Sequence, residues 1–121
     1  MAMRRIITEL GAGADLHGRD YTKAARRAVE DAMRHSSLSL FSALGLGPDD
    51  MRVDILIGVE EPDQVDAAAV AAVMPYGRRE VRVVKGGVTA EGMGGPGDAV
   101  IASAAVTASV DLPEGRWRLA R

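Results

Sequence analysis

The segment Glu9-Leu-Gly-Ala-Gly-Ala-Asp-Leu-His-Gly18 sets three glycines around Asp15 and His17, one of only two histidines in the chain. Glycine lets a backbone approach a ligand closely, and a helix starting just after such a loop offers unpaired N–H groups to an anion. If the piece is extended, Asp15 and His17 project to the same side, because strand side chains alternate. That would give a paired acid and imidazole suited to proton transfer, with Gly11, Gly13 and Gly18 lining the ligand. The alternative is architectural: the glycines shape a turn, Asp15 satisfies nearby backbone N–H groups, and His17 packs in the loop. The third glycine falls at the wrong spacing for the dinucleotide fingerprint G-x-G-x-x-G.

A second candidate runs from Lys85-Gly-Gly to Gly97. Backbone N–H groups at Gly94, Gly95 and Gly97 and the Lys85 ammonium would surround an anion or a carbonyl there. A flexible hairpin connection explains the same glycines. His35 reads as a helix C-terminal residue, Glu60-Glu61 as a solvated strand end, and the six methionines as core filler.

These side chains need elements to position them. Ile6 and Ile7 within Arg4–Leu10 predict a first strand that runs into the glycines. From Asp20, the expected N-cap, Tyr21, Ala24, Ala25, Ala28, Val29, Ala32 and Met33 recur at spacings of three and four, which predicts an amphipathic helix. Ser36–Leu46 either continues it or forms a second short helix. Arg52–Val59 alternates as strand two. Asp63 is expected to cap a helix through Val73, Glu80–Val84 to form strand three and Ala99–Val110 strand four. The order is β-α-β-α-β-β: an α/β (α+β) single domain over residues 1–121, with a mixed four-stranded sheet and helices on one face.

The chain has 121 residues, the usual size of one domain, and its 47% hydrophobic and 26% charged residues are those of a globular protein. Only 3% are aromatic, so the core must come from Ala, Val, Ile, Leu and Met. A small core and an uncovered sheet face both point to a homo-oligomer. Basic residues number 15 against 17 acidic, scattered and without interleaved aromatics, which argues against a nucleic-acid partner. There is no cysteine, so disulfides, thiolate metal sites and thiol nucleophiles are excluded together. No run approaches the ~20 apolar residues that span a bilayer, so no membrane partner is expected and the cytoplasm is the expected compartment.

Gly11-x-Gly13-x-Asp15-x-His17-Gly18 resembles the signature of the Lin-type conserved hypothetical proteins, a family of unknown function; the resemblance in length and layout extends over essentially the whole chain. Asp20-Tyr-Thr-Lys23 and Gly94-Gly-Pro-Gly-Asp-Ala-Val-Ile-Ala102 more faintly resemble one repeat unit of the cyanuric acid hydrolase and barbiturase family, ring-opening enzymes that use a serine and a lysine. Lys85 and Ser103 are available here, but that family's serine-glycine motif is not present. The element order also resembles the chorismate mutase-like fold, whose trimeric members place their sites between subunits.

The reading that follows is an oligomeric protein, trimeric or of other multiplicity. It has a site for a small polar, cyclic and nitrogen-containing molecule, with Asp15 and His17 as acid-base or orienting groups, Lys85 contributing charge, and no cofactor. A non-catalytic metabolite-binding or regulatory oligomer using the same loop is the alternative. A third reading is a metal site on Glu9, Asp15 and His17 completed across a subunit interface.

Overall fold

The computed structural model describes residues 2–35 and 45–112. Five strands and two α-helices follow in the order β1 (Ala2–Asp15), α1 (Tyr21–Arg34), β2 (Met51–Val59), α2 (Ala67–Ala71), β3 (Arg78–Lys85), β4 (Val88–Gly92) and β5 (Gly95–Leu112). Most of the expected Ser36–Leu46 helix, and the tail beyond 112, lie outside the described residues.

Alternation builds the sheet. In β2, Met51, Val53, Ile55, Ile57 and Val59 are all buried on one face, and β5 answers with Val100, Ala102, Ala104, Val106, Ala108 and Val110. Each buried Val or Ile side chain contributes roughly 1.5–3 kcal/mol of transfer free energy. The sheet order is β1-β5-β2-β3. β5 is antiparallel to β1 and to β2, while β2 and β3 run parallel. It follows that β1, β2 and β3 all point one way, and their C-terminal ends share one end of the sheet.

The fold class expected from the sequence holds, with one more strand than anticipated. β4 pairs antiparallel with the first part of β5, Val88 facing Ile101 and Thr89 facing Val100. Those β5 residues also pair with Ala14 and Asp15 of β1, so β4 lies on the other edge of β5 and continues the line of β2. A five-residue strand flanked by glycines carries too little hydrophobic pattern to stand out from a loop.

Both helices pack on one face. Asp20 caps α1 by accepting from Lys23 N at 3.0 Å. Its buried stripe is Tyr21, Ala24, Ala25, Ala28, Val29 and Ala32. The second helix is shorter than the Asp63–Val73 expected. Pro62–Gln64 instead forms a 3-10 turn, and Asp66 caps α2 by accepting from Ala68 N at 3.1 Å and Ala69 N at 3.3 Å. The Thr22 hydroxyl fixes that start by accepting from Asp66 N at 2.9 Å.

α1 also closes part of the free edge of β1. Asp31 accepts from Ala12 N at 2.9 Å, and Arg27 donates to Ala14 O at 2.7 Å. The opposite sheet face carries Leu10, Leu56 and Val88, all exposed, around Ala105 and Ser103, and no described element covers it. No helix among the described residues is long and apolar enough to cross a membrane.

Candidate functional site

The glycine motif divides between two tasks. Gly11 and Gly13 do not line a ligand site: they lie beneath α1. A Cβ on Gly11 would stand 2.3 Å from Ala28 O and 2.5 Å from Ala32 N; one on Gly13 would stand 2.3 Å from Ala28 N and 2.4 Å from Ala24 O. They are seats that let helix and strand backbones meet, and β1 therefore continues through them to Asp15.

Beyond Asp15 the strand ends, and the alternation that would have paired Asp15 with His17 ends with it. Residues 16–18 bend, with Gly18 at φ +103° and Arg19 at φ +55°, and the chain reverses into α1. Asp15 keeps the inward direction of the strand. Its carboxylate, only 3% exposed, accepts from Asp20 N at 2.9 Å and lies 3.0 Å from Lys23 Nζ. The Asp20 N–H bond, more than Lys23 and Arg27, holds its carboxyl below the usual range against the opposing effect of burial. Asp15 thus ties the end of β1 to the start of α1.

The partner of His17 is Asp98. His17 Nδ1 lies 2.6 Å from Asp98 Oδ2, with the ring 70% exposed and the carboxylate 10% exposed. Asp98 also accepts from Gly18 N at 2.9 Å and Gly94 N at 2.7 Å. The Gly18 N–H, His17 and the Gly94 N–H, in that order, lower its pKa to about 2. A carboxylate so held accepts from Nδ1–H and leaves Nε2 as the outward nitrogen of the ring. Sequence reasoning misses Asp98, which lies within Gly94–Ala102. The available signal was a carboxylate between Gly97 and the start of a long apolar run, where a buried charge needs backbone donors.

The second glycine loop therefore meets the first. Gly94 supplies an N–H to Asp98, and a Cβ there would stand 2.8 Å from its carboxylate. Gly95 and Gly97 take positive φ, +105° and +74°, at the turn into β5. Arg19 crosses between the loops, donating through Nη2 to Pro96 O at 2.8 Å. Lys85 is exposed at the C-terminal end of β3, and its ammonium has no hydrogen bond or ion pair among the described residues. Ser103 is exposed on the open face of the sheet.

An open cavity of about 310 Å³ adjoins this cluster, lined by Arg19, Tyr21, Glu60, Glu61, Gln64, Thr89 and Gly97. Glu60-Glu61, read from the sequence as a solvated strand end, thus forms part of its wall. The metal reading is not supported by the geometry. Glu9 lies six residues before Asp15 along β1, roughly 20 Å away at strand spacing, and lines a smaller cavity with Ile7 and Tyr76. Among the described residues no three of His, Cys, Asp and Glu stand close enough together to hold a metal ion.

No curated protein matches the chain at a significant level. A crystal structure of an FtsZ-like protein of unknown function from Nostoc punctiforme is similar to it: 36% identity, TM-score 0.81, covering 93% of this chain and 99% of that one. A family model described as conserved hypothetical protein (Lin0512_fam) matches residues 5–108, and on that match, over most of its length, the chain belongs to this family.

Proposed function

We propose that this protein is an oligomer with a small-molecule site at the meeting of the two glycine loops, where His17 exchanges a proton with a small polar, nitrogen-containing ligand. The observation that carries this reading is the His17–Asp98 pair at 2.6 Å. Asp98 remains an anion through the neutral range and fixes the tautomer of the ring, so that Nε2 is a positioned base at the surface. The site sits at the C-terminal ends of β1, β2 and β3, where ligands of α/β sheets collect. Arg19 and the exposed Lys85 at the end of β3 supply positive charge at that end of the sheet, and Asp15 positions the loop by anchoring it to α1.

The alternative of a binding oligomer without turnover draws on one observation: among the described residues no hydroxyl or amine is hydrogen-bonded to His17 as a nucleophile would be. Covalent catalysis by a serine and lysine pair, as in the ring-opening amide hydrolases, thus finds no assembled pair within the described part of one chain. General acid–base chemistry on a bound imine or amide needs only the imidazole.

The test is a panel of small cyclic amides and imines assayed for turnover and for thermal stabilisation with the wild type, His17→Ala, Asp98→Asn and the double variant. Both single variants should lose the effect, and the double should be little worse than either, because the pair acts as a unit. Variants that melt at much lower temperature yet keep the ligand response would make the pair a clasp between loops and nothing more.

A further inference from the structure

We propose that the cavity lined by Arg19, Tyr21, Glu60, Glu61, Gln64 and Thr89 binds a molecule of amino-acid size that carries both a protonated amine and a carboxylate. This names the ligand class of the site beside His17 and rests on that reading for what happens to the ligand, but not for its binding.

Tyr21 supplies the first argument. It is 6% exposed and lines the cavity, and its hydroxyl makes no hydrogen bond among the described residues. No fully buried side-chain nitrogen or oxygen among those residues lacks a partner, so the Tyr21 hydroxyl keeps some exposed surface, and the charges that act on it, Glu61, Glu60 and Arg19, all line this cavity. A phenol buried to this degree ordinarily finds a polar partner, and a ligand in the cavity that Tyr21 lines would supply one. Burial, then Glu61 and Glu60, raise the phenol above its usual pKa, so it stays protonated and able to donate.

The second argument is the charge on the wall. Two carboxylates face one guanidinium, so the cavity favours a cation, while Arg19 commits only one of its nitrogens, to Pro96 O. Glu60 has no partner among the described residues. Glu61 is oriented by Gln64, whose amide donates to Oε2. An ammonium is matched by Glu60 and Glu61, and a carboxylate by the free N–H groups of Arg19 and the Tyr21 hydroxyl. A singly charged amine would leave Arg19 unmatched, and a simple acid would meet two like charges.

The probes are the twenty common L-amino acids, titrated calorimetrically into the intact protein. For each binder, the amine lacking its carboxylate and the acid lacking its amine are titrated as well. At least one amino acid should bind roughly tenfold or more tightly than both truncated forms. Glu60→Gln with Glu61→Gln should weaken it by about tenfold or more. Tyr21→Phe should weaken it by a smaller factor. Should Tyr21→Phe fold poorly, the exposed glutamates carry the test. The proposal is overturned if no amino acid binds the folded protein, if the bare acid binds as tightly, or if the glutamine pair leaves affinity unchanged. None of these outcomes is read on a His17 or Asp98 variant, so a failure of this proposal is distinguishable from a failure of the His17–Asp98 reading.

Discussion

An alanine methyl at Gly13 would meet three backbone atoms of α1 at 2.3–2.6 Å, and backbone does not swing aside as a side chain does. Gly13→Ala is therefore expected to destabilise the fold by about 3 kcal/mol or more, the upper range for overpacking. Thermal unfolding should fall by roughly 12 °C or more for that change in a domain of this size. A melting temperature within a few degrees of wild type would mean that α1 does not rest on β1 as described. Asp98 gives the second test at this scale. Its pKa is depressed to about 2 in the folded state, so its contribution to stability is complete above the unfolded value near 4 and lost as pH falls through about 2. Asp98→Asn should thus lower the melting temperature at neutral pH, and the gap to wild type should narrow between about pH 4 and pH 2. A gap independent of pH would show that the charge is not what the pocket holds. The sequence singles out this loop because glycine, aspartate and histidine rarely crowd together by accident. It could not reveal that His17 pairs with a residue 81 positions away, since nothing local marks the contact.

At the level of elements, hydrophobic period carried most of the information. β2 was legible in nearly its observed bounds, Arg52–Val59 against Met51–Val59, because every second residue is large and apolar. The sequence pattern ends the first strand at Leu10 because Gly-Ala-Gly-Ala looks like loop; the missing side chains instead mark the space occupied by α1. β4 was hidden by its glycines, and the second helix was misplaced by three residues because Asp63 and Asp66 both make sound caps on paper. Thr22, on another element, favours Asp66. The cap of α1 is testable on its own. Asp20→Ala removes the acceptor for Lys23 N and should cost about 1 kcal/mol, measured by urea denaturation at unchanged m-value. No change would mean that Asp15, which already holds the Asp20 N–H, is sufficient to start the helix.

For the whole molecule, the open sheet face with Leu10 and Leu56 flanking Ala105 is the surface on which self-association is expected. Light scattering at micromolar concentration should report a multiple of the 12.7 kDa chain mass. Leu10→Glu with Leu56→Lys should shift it toward the monomer with circular dichroism intact; a monomer in the wild type would refute the expectation outright. The other route by which sheets combine is strand addition at an edge, and here the bonds from Asp31 to Ala12 N and from Arg27 to Ala14 O matter again. They occupy a donor and an acceptor that an incoming strand would need, so the outer rim of β1 near Ala12–Ala14 is a poor template for fibril growth. Mutations that loosen α1 from β1 would therefore do more than lower stability: they would expose that rim and turn a folding defect into an amyloid hazard.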